Sequence, residues 1–287
     1  VVLLGNMATM GMVGLGLLGH ALASRLRAAG HAVIGFDIAA ERREALVALG
    51  GAAAADAREV ARQSEAVCTV LPSLPAVEEA VADLGEARAI IQMSTISPGL
   101  TERLARLAAG RGQAFLDCPV SGTAGMVARG DGIIFVGGER AVYDRWRGVL
   151  ETMLPRAIHV GRAGQAMALK LVANLLVGVH SAAAAEALAL ARRAGLDMAV
   201  AFDVLSSGAG ASRMLEVRGP MMLDDRFPPQ MKLDLFMKDL HLIQEAAREV
   251  GASTPLTDVA ERLYAAAQGS GHGGADLAVV VKALERS

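Results

Sequence analysis

Seven short apolar runs punctuate the first half of the chain: MGMV, AVIGFD, AVCTVL, RAIIQMS, AFLDCPV, GIIFVGG and RAIHVG. Each is followed or preceded by an Ala- and Arg-rich stretch of helical character, and strand–helix alternation of this kind demands a parallel sheet with helices on its faces. After Gly161 the runs stop and helical periods continue almost to the end. The pattern therefore predicts an α/β chain, with a doubly wound parallel sheet over residues 9–162 and an all-α domain over 163–287.

A length of 287 residues suits two domains, and 53% hydrophobic with only 3% aromatic residues points to aliphatic packing between helices and sheet. A net charge of −2 gives no electrostatic reason to expect nucleic acid. Cys68 and Cys118 are too few for a disulfide framework and lack metal-ligand spacing, so a reducing, cytoplasmic setting is expected, with no metal. The first nineteen residues carry no charge, but five glycines interrupt them and no basic region precedes them, which disfavours a signal or a membrane span. Residues before about Thr9 are expected to form a ragged start outside the first strand.

Between Lys170 and Glu186 there is again no charge. That predicts a long interdomain helix, apolar and buried on nearly all faces yet too short to span a bilayer, packed between the domains and against a second subunit. A homodimer or homotetramer formed through the helical domain is the expected assembly.

Gly14-Leu15-Gly16-Leu17-Leu18-Gly19 reads G-x-G-x-x-G between a strand and the helix HALASRLRAAG, and the next strand, AVIGFD, ends at Asp37. This is the Rossmann fingerprint. Gly14 permits the tight turn, Gly16 lets backbone N–H groups approach a pyrophosphate at the helix N-terminus, and Gly19 lets helix and strand pack closely. Asp37 would accept hydrogen bonds from the adenosine ribose and repel a ribose phosphate, favouring NAD over NADP. Arg42 and Arg43, one turn further on, blur that preference.

Three further segments, read with this turn, resemble the beta-hydroxyacid dehydrogenase family, whose members include 3-hydroxyisobutyrate dehydrogenase and tartronate semialdehyde reductase. DCPVSGTAGMVARGDGIIFVGG looks like the family's substrate loop, GRAGQAMALKLVAN like its catalytic helix, and FMKDL like its cofactor-closing lysine motif. The chain departs from the pattern at Gly122-Thr123, where two glycines are usual, and at Ala173-Asn174, where two asparagines often stand. Within the family, VGVHSAAAAEALALARRAG, LDLFMKDL and GHGGADLAVVVKALE are most similar to L-threonate dehydrogenases.

The resemblance implies hydride transfer between a nicotinamide cofactor and a small hydroxy acid, with Lys170 as general acid and base. Lysine occurs only at Lys170, Lys232, Lys238 and Lys282, while arginine fills the other basic positions. Arginine cannot release a proton near neutral pH, and an apolar helix beside a cofactor would favour a neutral lysine amine. Asn174 follows four residues later on the same helical face, able to bind the substrate hydroxyl or carboxylate. Ser121, Gly122 and Thr123 would form a nest for the carboxylate. Lys238 would close over the cofactor, and Leu71, Pro72 and Thr95, at strand ends, would line it. Two other readings are imine reduction on a related scaffold, against which Lys170 argues, and a catalytically silent nucleotide-binding module.

Overall fold

The computed structural model describes residues 7–285. The ragged start expected before Thr9 falls largely on residues 1–6, outside them; Met7 is exposed, while Ala8 is buried and donates its N–H to His31 Nδ1 at 3.2 Å. The chain divides into two compact units, which meet in sequence between Lys170 and Leu171.

In the first unit the strands are β1 (Thr9–Val13), β2 (Ala32–Phe36), β3 (Ala52–Ala53), β4 (Ala66–Thr69), β5 (Ala89–Gln92), β6 (Ala114–Asp117), β7 (Val120–Ser121), β8 (Ile133–Gly138) and β9 (Ala157–Gly161). The helices between them are α1 (Leu17–Ala28), α2 (Ala40–Ala48), α3 (Ala57–Gln63), α4 (Leu74–Asp83), α5 (Pro98–Gly110), α6 (Ala124–Ala128) and α7 (Arg140–Met153). One sheet holds the described strands, in the order β3-β2-β1-β4-β5-β6-β8-β7, with β9 also on β8. Strands β1 to β6 run parallel, reversing direction of build at β1, as a doubly wound sheet does. The sheet then becomes mixed, because β8 pairs antiparallel with β6 and β7. Strands β6 and β7 are one line of chain interrupted at Cys118-Pro119, and Pro119 still accepts from Phe135 N–H through its carbonyl.

Alternation along β1 builds both cores. Met10 and Met12 point into a cluster with Leu22, Leu26, Trp146 and Leu150, while Val13 joins Val60, Val67, Ile90 and Leu100 on the other face. Both cysteines are buried, and burial pushes the Cys68 thiol up to about 12, so neither is a reactive thiolate near neutral pH. Asp56, Ser73 and Ser97 cap α3, α4 and α5 by accepting from backbone N–H groups.

The second unit is helical. α8 (Gln165–Arg193) carries the chain into it, followed by α9 (Met198–Ser207), α10 (Arg213–Asp224), α11 (Leu233–Glu249), α12 (Pro255–Ala267) and α13 (Val281–Glu285). Tyr264 donates to the Gly178 carbonyl at 2.9 Å and meets Phe236 edge-on, fastening α8, α11 and α12 together. A buried pair, Arg218 with Asp276 at 3.0 Å, joins α10 to the chain before α13.

One expectation about α8 needs correction. The charge-free stretch belongs to a 29-residue helix that is long and apolar enough to cross a membrane by length and composition. Lys170 and Asn174 within it are buried. Within the single chain Leu169, Val172 and Leu176, at helical spacing, are exposed.

Candidate active site

The glycine turn has the geometry its three positions need. Gly14 holds φ +94°, and a Cβ there would lie 2.1 Å from the Val70 carbonyl oxygen. A Cβ on Gly19 would lie 2.0 Å from the Gly14 carbonyl, so α1 and β1 meet at a distance only glycine allows. Gly16 differs: the nearest group to a Cβ there is the Arg42 guanidinium, at 3.9 Å. As N-cap of α1, Gly16 offers no side-chain cap, and the first turn contains no acidic residue. An open N-terminus with positive dipole is left facing that space, which fits a pyrophosphate.

Asp37, one residue beyond β2, is buried and tied to the turn. Its Oδ2 accepts from Leu15 N–H at 2.8 Å and its Oδ1 from Ala39 N–H at 3.0 Å. The Arg42 guanidinium stands 3.3 Å from Oδ2 and is half exposed. Burial alone would raise the Asp37 carboxyl; the Ala39 and Leu15 N–H groups and Arg42 outweigh it and hold the pKa below the usual carboxylate value. Arg43 lies over the Phe36 ring and donates to the Asp37 carbonyl.

Leu71 and Pro72 follow β4 at the same sheet edge. The Leu71 N–H donates to Ser94 Oγ at 2.8 Å, and Ser94 Oγ donates to the Thr69 carbonyl, so the β4 loop is pinned to the β5 loop that carries Thr95. The Leu71 side chain reaches within 3.1 Å of where a Cβ of Gly14 would be. Leu15, Asp37, Leu71 and the Thr95 loop are thus brought together around the turn.

Ser121 ends β7, Gly122 holds φ +148°, and Thr123 caps α6 by accepting from Met126 N–H at 3.3 Å. The Thr123 hydroxyl oxygen is therefore committed in part to the helix.

Lys170 and Asn174 stand one turn apart on α8, 6% and 3% exposed. Asn174 Nδ2 donates to Asp239 Oδ2 at 2.8 Å, and Lys238 Nζ donates to Asp239 Oδ1 at 2.8 Å. Asp239, buried on α11, therefore joins Asn174 to Lys238. An acceptor-only carboxylate also fixes the Asn174 amide, turning its carbonyl away from Asp239.

Residues 9–161 match the family model described as the NAD binding domain of 6-phosphogluconate dehydrogenase, and residues 164–284 match that described as NAD-binding of NADP-dependent 3-hydroxyisobutyrate dehydrogenase. An L-threonate dehydrogenase of Cupriavidus necator is 33% identical over 281 residues, 95% of each chain. The chain belongs to the beta-hydroxyacid dehydrogenase family. A crystal structure of a 3-hydroxyisobutyrate dehydrogenase from Salmonella typhimurium superposes with TM-score 0.87 at 33% identity, covering 96% of this chain and 99% of that one. The Mycobacterium tuberculosis 3-hydroxyisobutyrate dehydrogenase with L-serine gives 0.87 at 32% identity, covering 97% and 99%.

This beta-hydroxyacid dehydrogenase is accordingly an NAD(P)-dependent oxidoreductase of small hydroxy acids. Among the described residues, no group of three or more His, Cys, Asp or Glu could hold a metal ion. Two buried carboxylates that bond to candidate site elements went unread in the sequence, Asp117 and Asp239. Each offered a signal: an acid closing the apolar run AFLD, and an acid among the buried positions of α11.

Proposed function

We propose that the enzyme oxidises L-threonate, or a similar four-carbon sugar acid, with NAD, through Lys170. The observation that carries this reading is a buried lysine one helical turn before a buried asparagine whose amide is already oriented. The L-threonate dehydrogenase relative, similar over nearly the whole chain, supports the substrate.

In this reading residues 9–162 hold the cofactor and 163–287 supply substrate and dimer contacts. Gly14 to Gly19, with Leu15, Leu17 and Leu18 between the glycines, cradle the pyrophosphate; Asp37 takes the ribose, and Leu71, Pro72, Thr95 and Lys238 line the remainder. A bound nicotinamide supplies the hydride acceptor in oxidation and the donor in reduction. The Lys170 amine accepts the hydroxyl proton in oxidation, and the ammonium returns it in reduction. The Asn174 amide orients the hydroxyl, and Ser121, Gly122 and Thr123 hold the carboxylate. The exposed Leu169, Val172 and Leu176 stripe on α8 and Val200 and Val204 on α9 are the faces a second copy would cover, in a cytoplasmic homodimer or homotetramer.

The second reading, a 3-hydroxyisobutyrate dehydrogenase or a tartronate or succinic semialdehyde reductase, is favoured by the likeness to the two solved 3-hydroxyisobutyrate dehydrogenases. A spectrophotometric screen of NAD reduction over L-threonate, D-erythronate, L-serine, D-glycerate, 3-hydroxyisobutyrate and 4-hydroxybutyrate separates the two. L-threonate is expected to respond best; a response to 3-hydroxyisobutyrate alone reverses the order. Lys170→Ala should lower turnover about 1,000-fold while NADH binding persists, and wild-type turnover by that variant refutes the mechanism.

A further inference from the structure

Asp117 closes β6 and is fully buried. Its Oδ2 accepts two backbone N–H groups, from Gly164 and from Met167, each at 3.0 Å. These belong to the start of α8, where Gly164 precedes the first helical residue and has no side chain with which to cap it. Gly164 holds φ +90°, a conformation that disfavours the serine or aspartate used to cap α3, α4 and α5. The cap arrives instead from 47 and 50 residues away in sequence.

That solution is costly. Asp117 Oδ1 has no hydrogen-bond partner, and burial pushes the carboxyl up to about 7 despite the two N–H donors. The sheet also makes room for it: Gly137 lies opposite Asp117 on β8, and a Cβ there would come within 2.7 Å of the Arg162 carbonyl and 3.2 Å of Asp117 Oδ2. What a distant cap supplies and a local one does not is registration between two segments. Asp117 stands four residues before Ser121, and Met167 three residues before Lys170.

We propose that Asp117 is a positioning residue for the reaction, fastening the start of the Lys170 helix to the strand that leads into the Ser121 loop. The inference rests on the reading of Lys170 as the proton acceptor and of Ser121 to Thr123 as the substrate loop. Asp117 itself touches neither substrate nor cofactor in this role. It fixes where the amine stands relative to the bound carboxylate, and a misplacement of about 1 Å at such a site can cost about 100-fold in rate.

The test compares Asp117→Ala, Asp117→Asn and Lys170→Ala with the wild type, full length, by NAD reduction with L-threonate, NADH fluorescence titration and amide exchange over residues 162–170. If the wild type does not turn over L-threonate, the substrate reading fails and the same comparison is run with 3-hydroxyisobutyrate. Asp117→Ala should lose kcat by roughly 30- to 100-fold with KM within about threefold, bind NADH normally and exchange faster at 163–168. Asp117→Asn keeps an oxygen acceptor and should recover to within about tenfold of the wild type. Wild-type kcat in Asp117→Ala beside an inactive Lys170→Ala overturns the positioning role alone, as does an asparagine variant no better than alanine. An active Lys170→Ala overturns the underlying reading and this inference with it. Should Asp117→Ala fail to fold, Gly137→Ala, which crowds the same carboxylate, should show the kcat loss, and wild-type kcat there overturns the proposal.

Discussion

Asn174 on α8 and Asp239 on α11, 65 residues apart in sequence, share a buried hydrogen bond of 2.8 Å. The carboxylate leaves the Asn174 amide one orientation, and it is the same carboxylate that receives Lys238. Removing it strands a buried amide and takes one partner from a lysine. Asp239→Ala should destabilise the protein by about 1–3 kcal/mol and lower kcat/KM at least about tenfold. A thermal melt and steady-state kinetics check both, and an unchanged kcat/KM would mean that the bond only holds helices together.

Arg42 gives a test of cofactor preference. Its guanidinium sits against Asp37 and nearest the open space at Gly16, and it is half exposed, so it can turn toward a ribose phosphate. Arg42→Ala should weaken NADPH binding about fivefold or more and leave NADH within about twofold. Equal losses for both cofactors in a fluorescence titration count against this; tighter binding of NADPH than NADH by the wild type counts against Asp37 as the deciding group.

Two glycines of the turn should fail differently. Gly19→Ala places a methyl 2.0 Å from a backbone carbonyl and is expected to prevent stable folding. Gly16→Ala meets nothing closer than 3.9 Å, so the protein should fold with an ordinary melting temperature yet bind NADH at least about tenfold more weakly. Normal NADH affinity in Gly16→Ala removes the pyrophosphate from this turn.

Asp117 makes stability depend on pH in the direction opposite to a salt-bridged acid. Its folded pKa, about 7, lies above the ordinary 3.8, so the fold favours the protonated form. The contribution is fully present below the ordinary value and is lost as pH rises through 7, amounting to about 4 kcal/mol. Asp117→Asn cannot ionise. Urea midpoints should therefore shift in favour of the variant between pH 4 and pH 7, and a constant difference across that range would contradict the assignment.

What the sequence reveals is what lies close along the chain. The glycine turn, Asp37 just past the second strand and the one-turn spacing of Lys170 and Asn174 are local patterns with local causes. The mixed end of the sheet was not legible, because the run GIIFVGG has the same composition whichever way it pairs. Asp117 and Asp239 were hidden for another reason. Their partners on α8 and at its start lie 47 to 65 residues away, and a carboxylate beside an apolar run reads equally as a solvated end.

The chain passes from its first compact unit to its second immediately after Lys170, in the middle of an unbroken helix. Lys170 is thus the last residue of the first unit, whereas Asn174, Lys238 and Asp239 belong to the second. A chimera that took every residue from Leu171 onward from a relative would therefore keep Lys170 and exchange Asn174, Lys238 and Asp239 together.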